Sequence, residues 1–574
     1  MPVRRIWLVL WPFLLAWPCP AEVLAPAPTA PAAAAPAPAL PPTAAPAAPS
    51  ANKQTYMVAV SDGVKLATDV YLPVGNGPFP VLLTRTPYNR AGGLGTKPAT
   101  DRGYVVVIQD MRGRFGSEGE NLPFIGCGWA DHADGADTVA WILQQPWCNG
   151  KVGTVGGSAC GITQNLLAGA APKGLAAQFI GVAAGNLYAD TAYVGGAFRK
   201  EQIENWTSLN KFDPKARELF KAHPCYDEFW EKFDTTRRFP VMDVPAIHVG
   251  GWFDTFLQGT IDQFLGRQYH GAEGARGRQK LVLGPWVHGG YQQGRAGDLA
   301  FPNNQYPRAY DQERWFDCLL KGQDNGILAE PAVAYYVMGD VEAAGAPGNE
   351  WRHADVWPIP CAETPYYFQK DGGLAPARPS AAAPAFEEYA FDPADPCPTL
   401  GGRNLTIRKG PINQNEIEVR KDLVNFTSEA LTEPLEVTGR IAARVFVSSS
   451  AADTDLSVRF CDVYGDWRSF PMAEGMLRLR HRNSFTANEP LKPGEIYEVT
   501  VDCWSISVVI NKGHRIRVTV TSSNYPRFDL NPGTGKPWTE GCPFVRQTNR
   551  IYCDGEHPSR IILPVVKPKP PPSP

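Results

Sequence analysis

The sequence predicts an α/β domain with a mostly parallel sheet, followed by an all-β domain. In the first half of the chain, short apolar runs alternate with helix-like segments, and this alternation indicates a parallel sheet with helices on both faces. From about Pro331 onward, β-branched residues alternate with polar ones between Gly, Pro and Asn turns, a pattern typical of a sandwich or jelly roll. The fold class is therefore an α/β sheet joined to a separate β domain.

Length, composition and charge agree with this organisation. A chain of 574 residues is too long for one hydrophobic core, so about two or three domains are expected. The 44% hydrophobic and 20% charged residues are typical of soluble globular proteins. A formal net charge of −3 gives no electrostatic basis for binding nucleic acid or an anionic membrane surface. The charge therefore favours neither of these partners and leaves a small-molecule partner open.

Both chain termini have unusual compositions. Residues 1–21 have the features of a secretory signal peptide, with Arg4 and Arg5 before a short apolar stretch. An uncleaved membrane anchor is the alternative, although that stretch is short for a bilayer. Residues 22–52 form a Pro/Ala-rich linker, and residues 567–574 form a Pro-rich tail. We therefore expect a periplasmic or secreted protein that has no other association with a membrane.

Twelve cysteines bear on disulfides and on metal binding. In an exported protein some of them should be bridged, and two pairs are close enough in sequence to be hypotheses, Cys361 with Cys397 and Cys542 with Cys553. The chain contains no C-x-x-C and no H-E-x-x-H motif, which are common metal-binding patterns. We therefore expect no metal site and no cofactor.

Apolar runs and helical spacing place the elements of the α/β part. Strands are predicted in the run that leads into Ser158 and in six other apolar runs: Lys65–Leu72, Pro80–Thr84, Tyr104–Gln109, Ala176–Ala183, Val244–Gly250 and Lys280–Gly284. Helical spacing is found at Ala133–Gln144, Thr255–Leu265 and Ala309–Lys321. In the β-rich part, alternation predicts strands at Leu435–Val447, Leu456–Val463, Tyr497–Ile510 and Arg515–Thr521.

The alternation of strands and helices stops at residues 187–241, which are rich in aromatic and charged residues. An insertion at the carboxyl end of a strand lies where ligands bind, so we predict a helical cap over a site. An extra packing module is the alternative. The predicted division is an α/β sheet from residues 53–186 and 242–325, the cap at 187–241, and a β jelly roll at 326–566.

The central motif is a strand-turn-helix transition at Ser158. An apolar run enters it, Gly156 and Gly157 precede the serine, and a helix-permissive run follows. This is the context of a nucleophile elbow, where the serine adopts strained φ and ψ and its hydroxyl projects from the top of a sheet. Gly156 fits the G-x-S-x-G pattern, but Cys160 stands where its last glycine belongs. An ordinary glycine-rich turn is therefore an alternative interpretation.

A serine nucleophile needs a base and a group that orients the base. In α/β-hydrolases these residues follow the serine in the order Asp or Glu, then His, each just after a strand. Asp254 follows the predicted strand Val244–Gly250, and His288 follows Lys280–Gly284. Since both the order and the strand context fit, Asp254 and His288 are the candidates, and a loop histidine without function is the alternative for His288.

The same chemistry needs hydrogen-bond donors for the oxyanion. One candidate is the backbone N–H of Ala159, the residue after the serine. The other is Tyr88, which follows an early strand and whose phenol can donate as an amide does. A tyrosine that only packs against the Pro87 turn is the alternative.

Six motifs in order resemble those of the cocaine esterase/NonD hydrolases, in the X-Pro dipeptidyl-peptidase-like group of serine hydrolases. They are TPYN, QDMRGRFGSEG, QPWCNGKVG, GGSACG, GGWFD and GPWVH. The C-terminal half is similar as well, in SSAADTD and HPSR, so the resemblance covers nearly everything from about Tyr56 to Val566. It implies an α/β-hydrolase sheet with a helical cap insertion, plus a C-terminal jelly-roll domain.

The resemblance also implies roles for the candidate residues. Ser158 would be the nucleophile, His288 the base and Asp254 the group that orients it. Tyr88 through its hydroxyl and Ala159 through its amide would form the oxyanion hole. The family usually has tyrosine at the position of Ala159, so the amide is retained here while the wall beside the nucleophile becomes smaller.

The substrate class is inferred from the residues after Asp254. In the α-amino-acid ester hydrolases of this group, carboxylates close after the catalytic aspartate bind the substrate ammonium, whereas Thr255, Phe256 and Leu257 follow here. Phe256 matches an aromatic acyl-pocket wall in cocaine esterase-like members, which favours an apolar or aryl acyl group.

The sequence therefore predicts an exported serine hydrolase that cleaves carboxylic esters or amides through an acyl-enzyme. The first alternative is an X-Pro dipeptidyl-peptidase or a β-lactam side-chain acylase. The second, from a different class, is a non-catalytic binding protein that uses the jelly roll. The oligomeric state does not follow from the sequence.

Overall fold

The computed structural model describes residues 52–92, 96–290, 294–380, 384–537, 539 and 542–567. The predicted signal peptide lies outside these residues, as do the linker up to residue 51 and the tail from residue 568. In the part of the chain that is described, no helix combines the length and the apolar composition that crossing a bilayer requires.

Ten of the first twelve described strands form one mixed sheet. In chain order, the twelve are β1 (Asn52–Ala59), β2 (Lys65–Leu72), β3 (Phe79–Thr86), β4 (Val105–Asp110), β5 (Cys148–Gly157), β6 (Leu175–Gly181), β7 (Tyr193–Val194), β8 (Ala197–Phe198), β9 (Ala246–Phe253), β10 (Lys280–Val287), β11 (Val333–Val337) and β12 (Glu350–Ala354). The order across the sheet is β1-β2-β4-β3-β5-β6-β9-β10-β11-β12, and β7 pairs with β8. Along this order across the sheet, every pairing between β4 and β11 is parallel. The pairings β1–β2, β2–β4 and β11–β12 at the two ends are antiparallel.

The described α-helices lie mostly between these strands. They are α1 (Thr96–Asp101), α2 (Asp134–Leu143), α3 (Ala159–Ala170), α4 (Trp206–Leu209), α5 (Lys215–Ala222), α6 (Glu228–Glu231), α7 (Leu257–His270), α8 (Gln312–Lys321) and α9 (Asn415–Glu418). The predicted helices at Ala133–Gln144, Thr255–Leu265 and Ala309–Lys321 thus correspond to α2, α7 and α8.

Helices cover both faces of the sheet, which explains the continuous apolar runs of its strands. Every residue of β4, β9 and β10 is buried. Val81 and Leu83 of β3 pack in one cluster with Leu167 of α3, while Leu82 packs on the other face with Phe316 of α8. A strand buried on both faces needs apolar residues at consecutive positions, so its sequence does not alternate. The predicted α/β class is confirmed.

The chain between β6 and β9 forms a separate layer over the sheet. It contains the β7–β8 hairpin, the short helices α4, α5 and α6, and π-helical turns at Tyr188–Ala192 and Glu201–Asn205. Aromatic side chains of this layer, among them Tyr188 and Trp230, are buried in one cluster with Ala159 and Ile162 of α3. The inserted segment therefore packs directly on the start of α3.

The C-terminal part is an all-β domain, also as predicted. Its eleven described strands, joined in one hydrogen-bonded network, are β13 (Ala362–Phe368), β14 (Gly373–Ala375), β15 (Phe386–Phe391), β16 (Leu423–Ser428), β17 (Leu435–Ser449), β18 (Asp455–Val463), β19 (Ser469–Arg478), β20 (Tyr497–Ile510), β21 (Arg515–Thr521), β22 (Gln547–Tyr552) and β23 (Arg560–Val565). All four strands predicted in this part are present, at β17, β18, β20 and β21.

Strands β11 and β12 belong to the segment that the sequence analysis assigned to the β domain, residues 326–566. In the structure they extend the α/β sheet, because Leu281–Leu283 of β10 pairs in parallel with Val333–Tyr335 of β11. Apolar patterning identifies a strand, but the choice of partner depends on which exposed edge of a sheet is near in space.

The two proposed disulfides are absent, since all eleven cysteines in the described residues are free thiols. Cys397 is buried in a small apolar cluster with Ile417 and Leu423, while Cys361 is exposed. The sulfur of Cys553 lies 3.5 Å from the carbonyl oxygen of Ala385. Closeness in sequence therefore did not predict a disulfide bond, and both pairings are wrong.

A buried arginine joins the two domains. Arg403 is only 1% exposed. Its guanidinium donates to the carbonyl oxygen of Trp252 in β9, at 3.0 Å, and to those of Glu474 in β19 and Cys503 and Ser505 in β20, at 3.4, 3.1 and 3.1 Å. Because these carbonyl groups belong to both sheets, one side chain satisfies backbone acceptors across the domain junction.

Replacing this side chain tests how strongly the junction depends on it. Arg403→Met should lower the free energy of unfolding by about 3 kcal/mol or more, because buried carbonyl oxygens lose their donor. Arg440→Met is the matched control, since the Arg440 side chain is 51% exposed in its ion pair with Asp502 and should cost about 1 kcal/mol or less. Urea unfolding followed by tryptophan fluorescence measures both, and equal losses would contradict the junction role.

Candidate active site

Ser158 occupies a strained turn between β5 and α3. Its φ is 56° and its ψ is −127°, in a region that residues with a side chain rarely adopt. The N–H of Ser158 donates to the carbonyl oxygen of Gly181 at 2.9 Å, and its carbonyl accepts from Gly161 and Ile162 at 2.8 and 2.9 Å. Hydrogen bonds on both sides therefore hold the serine in the conformation of a nucleophile elbow.

Two glycines leave the space that this turn needs. A Cβ on Gly156, whose φ is 145°, would lie 2.6 Å from the Cβ of Cys160. A Cβ on Gly161 would lie 2.7 Å from the Cβ of Ala183. Residues 156 and 160 lie so close that one of them must lack a Cβ, and because residue 156 is glycine, cysteine is tolerated at 160. The close contact between α3 and Ala183 is made at Gly161. The chain therefore needs its second glycine at 161 and not at 160, where G-x-S-x-G places it.

The structure brings Ser158, His288 and Asp254 into one hydrogen-bonded chain. The Nε2 atom of His288 lies 3.0 Å from Oγ of Ser158, and its Nδ1 atom lies 2.8 Å from Oδ2 of Asp254. Asp254 is fully buried, and its Oδ1 accepts the N–H of Phe256 at 2.7 Å. A histidine that donates from Nδ1 to a carboxylate can accept a proton at Nε2, as a general base for the serine must.

The topology of the sheet accounts for this convergence. Ser158, Asp254 and His288 are each the first residue after a strand, namely β5, β9 and β10. These strands are parallel, and only β6 separates β5 from β9. Their carboxyl ends consequently meet at one edge of the sheet, where open α/β sheets place their sites.

Tyr88 lies two residues after β3, at the same edge. Its N–H donates to Oγ1 of Thr86 at 2.9 Å, and its hydroxyl oxygen accepts the indole N–H of Trp206 at 3.1 Å. Burial raises the pKa of Tyr88 far above its ordinary value, while hydrogen bonds with Trp206 and with Ser158 act in the opposite direction. The phenol is therefore protonated at neutral pH and can donate beside Ser158.

Ala159 supplies a second donor next to the serine. It is the first residue of α3, and the first N–H groups of a helix have no partner within the helix. The partial positive charge at a helix N-terminus favours an anion at this point. Together with the Tyr88 hydroxyl, this amide provides the kind of donor pair that stabilises an oxyanion.

A small pocket of about 30 Å³ adjoins Ser158 under the inserted segment. Apolar and aromatic side chains form most of its lining, among them Phe124, Ile162, Trp206, Trp230 and Phe256. Among the described residues that line it, none is an aspartate or a glutamate. Phe256, predicted as a wall of the acyl pocket, also packs edge-on against His288, with ring centroids 5.5 Å apart. The described lining beside Ser158 is therefore mainly apolar.

Trp206 is a residue of the site that the sequence did not predict. It is one of many aromatic residues between 187 and 241, and no local pattern marks its contact with Tyr88, which is 118 positions away.

The thiol of Cys160 also lies in the elbow, two residues after Ser158. Burial raises the pKa of its thiol to about 11, so it is protonated at neutral pH and a weak nucleophile.

Comparison with known proteins identifies two matching families. Residues 62–219 and 208–290 match the family described as X-Pro dipeptidyl-peptidase (S15 family). Residues 325–562 match the X-Pro dipeptidyl-peptidase C-terminal non-catalytic domain. The two matches cover the α/β part and the β-rich part in turn.

Individual relatives match over almost the same length. Cocaine esterase of Rhodococcus sp. (strain MB1 Bresler) is 34% identical, covering 89% of this chain and 98% of that protein. The solved structure of an α-amino acid ester hydrolase has 27% identity and a TM-score of 0.78, covering 92% of this chain and 98% of that chain. A CocE/NonD family hydrolase from Staphylococcus aureus shares the fold, with 20% identity and a TM-score of 0.68, over 90% of this chain and 93% of that one.

These relatives are hydrolases. The matching segments include Tyr88, Ser158, Asp254 and His288, and also the C-terminal β domain that contacts the site through Arg403. The chain belongs to the cocaine esterase/NonD family of serine hydrolases, built from an S15-type α/β domain and its C-terminal β domain.

Proposed function

We propose that this protein cleaves carboxylic esters through an acyl-enzyme formed on Ser158, with His288 as general base and Asp254 as the residue that orients it. The observation that carries the proposal is the unbroken hydrogen-bonded chain from Oγ of Ser158 through the imidazole of His288 to the buried carboxylate of Asp254. Serine hydrolases on unrelated folds are recognised by this geometry.

The proposed reaction has two halves. In the first, Nε2 of His288 takes the proton of Ser158 while Oγ bonds to the acyl carbon, and the imidazolium then protonates the departing alcohol. In the second, water attacks the acyl-enzyme, its proton passes through Nε2 to Ser158, and the carboxylic acid leaves. Asp254 stabilises the imidazolium in both halves. Side chains carry every step, so the proposal includes no cofactor.

The oxyanion of each tetrahedral intermediate would be bound by Tyr88 and Ala159. The phenol hydroxyl and the first amide of α3 both adjoin Ser158, and both are donors at neutral pH. Donors that are already in place before charge develops lower the barrier, because they need no reorganisation at the moment of reaction.

The pocket lining favours an apolar or aryl acyl group. A substrate with a free α-ammonium would bury that charge beside Ser158, and no lining residue in the described part of the chain carries a carboxylate to pair with it. The S15 match supports the alternative of an X-Pro dipeptidyl-peptidase, whose substrates carry such an ammonium. A β-lactam side-chain acylase is the other alternative. The lining argues against either activity on a substrate that carries an α-ammonium.

Export to the periplasm or the medium is also part of the proposal. It is supported by the signal-like composition of residues 1–21 and the Pro/Ala-rich residues 22–52 alone.

The nucleophile is tested by replacement and by labelling. Ser158→Ala should lower kcat for p-nitrophenyl butyrate by about three orders of magnitude or more, because the hydroxyl that His288 would deprotonate is removed. A fluorophosphonate probe should label the wild-type protein on the peptide that contains Ser158, as fluoride leaves and Oγ bonds to phosphorus. Cys160→Ala, a control at the other potential nucleophile of the elbow, should retain labelling and turnover. Full activity in Ser158→Ala would end the proposal.

Substrate class is tested with two esters that share a leaving group. The p-nitrophenyl esters of butyrate and of 2-aminobutyrate differ only in the ammonium, and butyrate should have a kcat/KM about a hundredfold higher, since the described lining offers the charge no carboxylate. Gly-Pro-p-nitroanilide, assayed in parallel, reports the peptidase alternative. Preference for either amino substrate would overturn the assignment of an apolar acyl group while leaving the nucleophile intact.

Tyr88→Phe tests the oxyanion hole. Loss of one donor should lower kcat about a hundredfold with little change in KM, because the hydrogen bond strengthens in the transition state. Tyr193→Phe is the control, since the Tyr193 hydroxyl donates within the inserted segment to the carbonyl oxygen of Phe220 at 3.1 Å and should affect kcat little. Equal small effects in stopped-flow acylation would remove Tyr88 from the site.

A further inference from the structure

We infer that Trp206 is a positioning residue of the oxyanion hole: its indole N–H fixes the direction in which the Tyr88 hydroxyl donates. This inference rests on the proposed role of Tyr88. It starts from the 3.1 Å hydrogen bond that Nε1 of Trp206 donates to the hydroxyl oxygen of Tyr88. An indole N–H is only a donor, so the phenol must be the acceptor in this contact.

A phenol has one proton to donate, and its direction is adjustable. Since the indole N–H occupies the acceptor side of the Tyr88 oxygen, the hydroxyl proton must point elsewhere, because two donors cannot face each other. Among the described residues, Ser158 is another polar group whose side chain hydrogen-bonds with Tyr88. Trp206 therefore selects the orientation in which the O–H of Tyr88 is directed at the reacting centre before substrate arrives.

The same contact strengthens the donor. When the phenol oxygen accepts a hydrogen bond, its own O–H bond becomes more polarised and its hydrogen more positive. The hydroxyl is then a better donor, since hydrogen bonds in a chain polarise one another. Consistent with this, the hydrogen bond with Trp206 lowers the pKa of Tyr88 against the larger effect of burial. The stabilisation of an oxyanion by Tyr88 should thus depend on the indole N–H.

Aromatic neighbours hold the indole in place. The Trp206 ring stacks on Phe124 with an interplanar angle of 3° and centroids 5.7 Å apart, and it packs against Phe212 at 4.9 Å. Trp206 is the first residue of α4, so its backbone is held by the inserted segment. Packing against these two rings limits the rotation of the indole and so fixes the direction of its N–H.

Arg114 connects the tyrosine turn to the helix that carries Trp206. Its Nε donates to the carbonyl oxygen of Pro87 at 3.0 Å, and its Nη2 donates to that of Asn210, directly after α4, at 2.6 Å. The guanidinium also lies over the ring of Phe212, 4.3 Å from its centroid. One buried side chain thus sets the spacing between Tyr88 and Trp206, which a 3.1 Å hydrogen bond requires.

Trp206 also lines the pocket, so the test must separate its ring from its N–H. Trp206→Phe keeps an aromatic ring and removes the donor. It should lower the acylation rate with p-nitrophenyl butyrate about tenfold when Tyr88 is present, with KM nearly unchanged, and less than about twofold in the Tyr88→Phe background. Replacement of Trp206 by benzothienylalanine, which keeps the bicyclic shape without the N–H, should give the same pattern.

Trp230→Phe is the matched control, because Trp230 lines the same pocket but donates its indole N–H to the carbonyl oxygen of His223 at 2.8 Å. Its effect should be equal in both backgrounds. If Trp206→Phe also costs the same with and without the Tyr88 hydroxyl, the residue is only a wall and the inference is wrong. If Tyr88→Phe alone is harmless, the proposed oxyanion hole fails instead, so the two failures are distinguishable.

Discussion

The positive φ of Ser158 is the constraint on which the site depends. Only a sharp turn between β5 and α3 lifts the serine hydroxyl out of the sheet, and the side chain makes that conformation unfavourable. The structure compensates with backbone hydrogen bonds to Gly181, Gly161 and Ile162 and with the absence of a Cβ at Gly156. The Ser158 hydroxyl is therefore already in position before substrate binds, and the imidazole of His288 needs only to reach that fixed position.

The other layers of the molecule stabilise the partners of that serine. Arg403, from the C-terminal part, binds the carbonyl oxygen of Trp252, two residues before Asp254. Arg199, from the inserted segment, donates to Oγ1 of Thr255 at 2.6 Å and to the carbonyl oxygen of Arg403 at 3.1 Å. The residues on either side of Asp254 are thus hydrogen-bonded to both accessory layers, Trp252 through its backbone and Thr255 through its side chain. The β domain contributes no residue to the hydrogen-bonded chain of Ser158, His288 and Asp254. It supports the site through Arg403, which holds the strand that leads to Asp254.

Prediction from sequence succeeded where a local pattern has one structural meaning. Continuous apolar runs located β4, β9 and β10, since strands buried on both faces need such runs. It failed where the outcome depends on distant partners. The pairs Cys361–Cys397 and Cys542–Cys553 are near in sequence but not bonded, and β11 and β12 joined the first sheet instead of the second.

The sequence by itself determined the strand-turn-helix at Ser158 and the positions of Asp254 and His288 just after strands, because chain order and residue type are local properties. It also determined the two fold classes, through their different hydrophobic periods. Only the tertiary structure decided that a tryptophan of the inserted segment donates to Tyr88, and that Arg114 and Arg403 join separate layers. Such contacts depend on how the layers pack against one another. The two partners are far apart in the sequence, and no hydrophobic period predicts that separation.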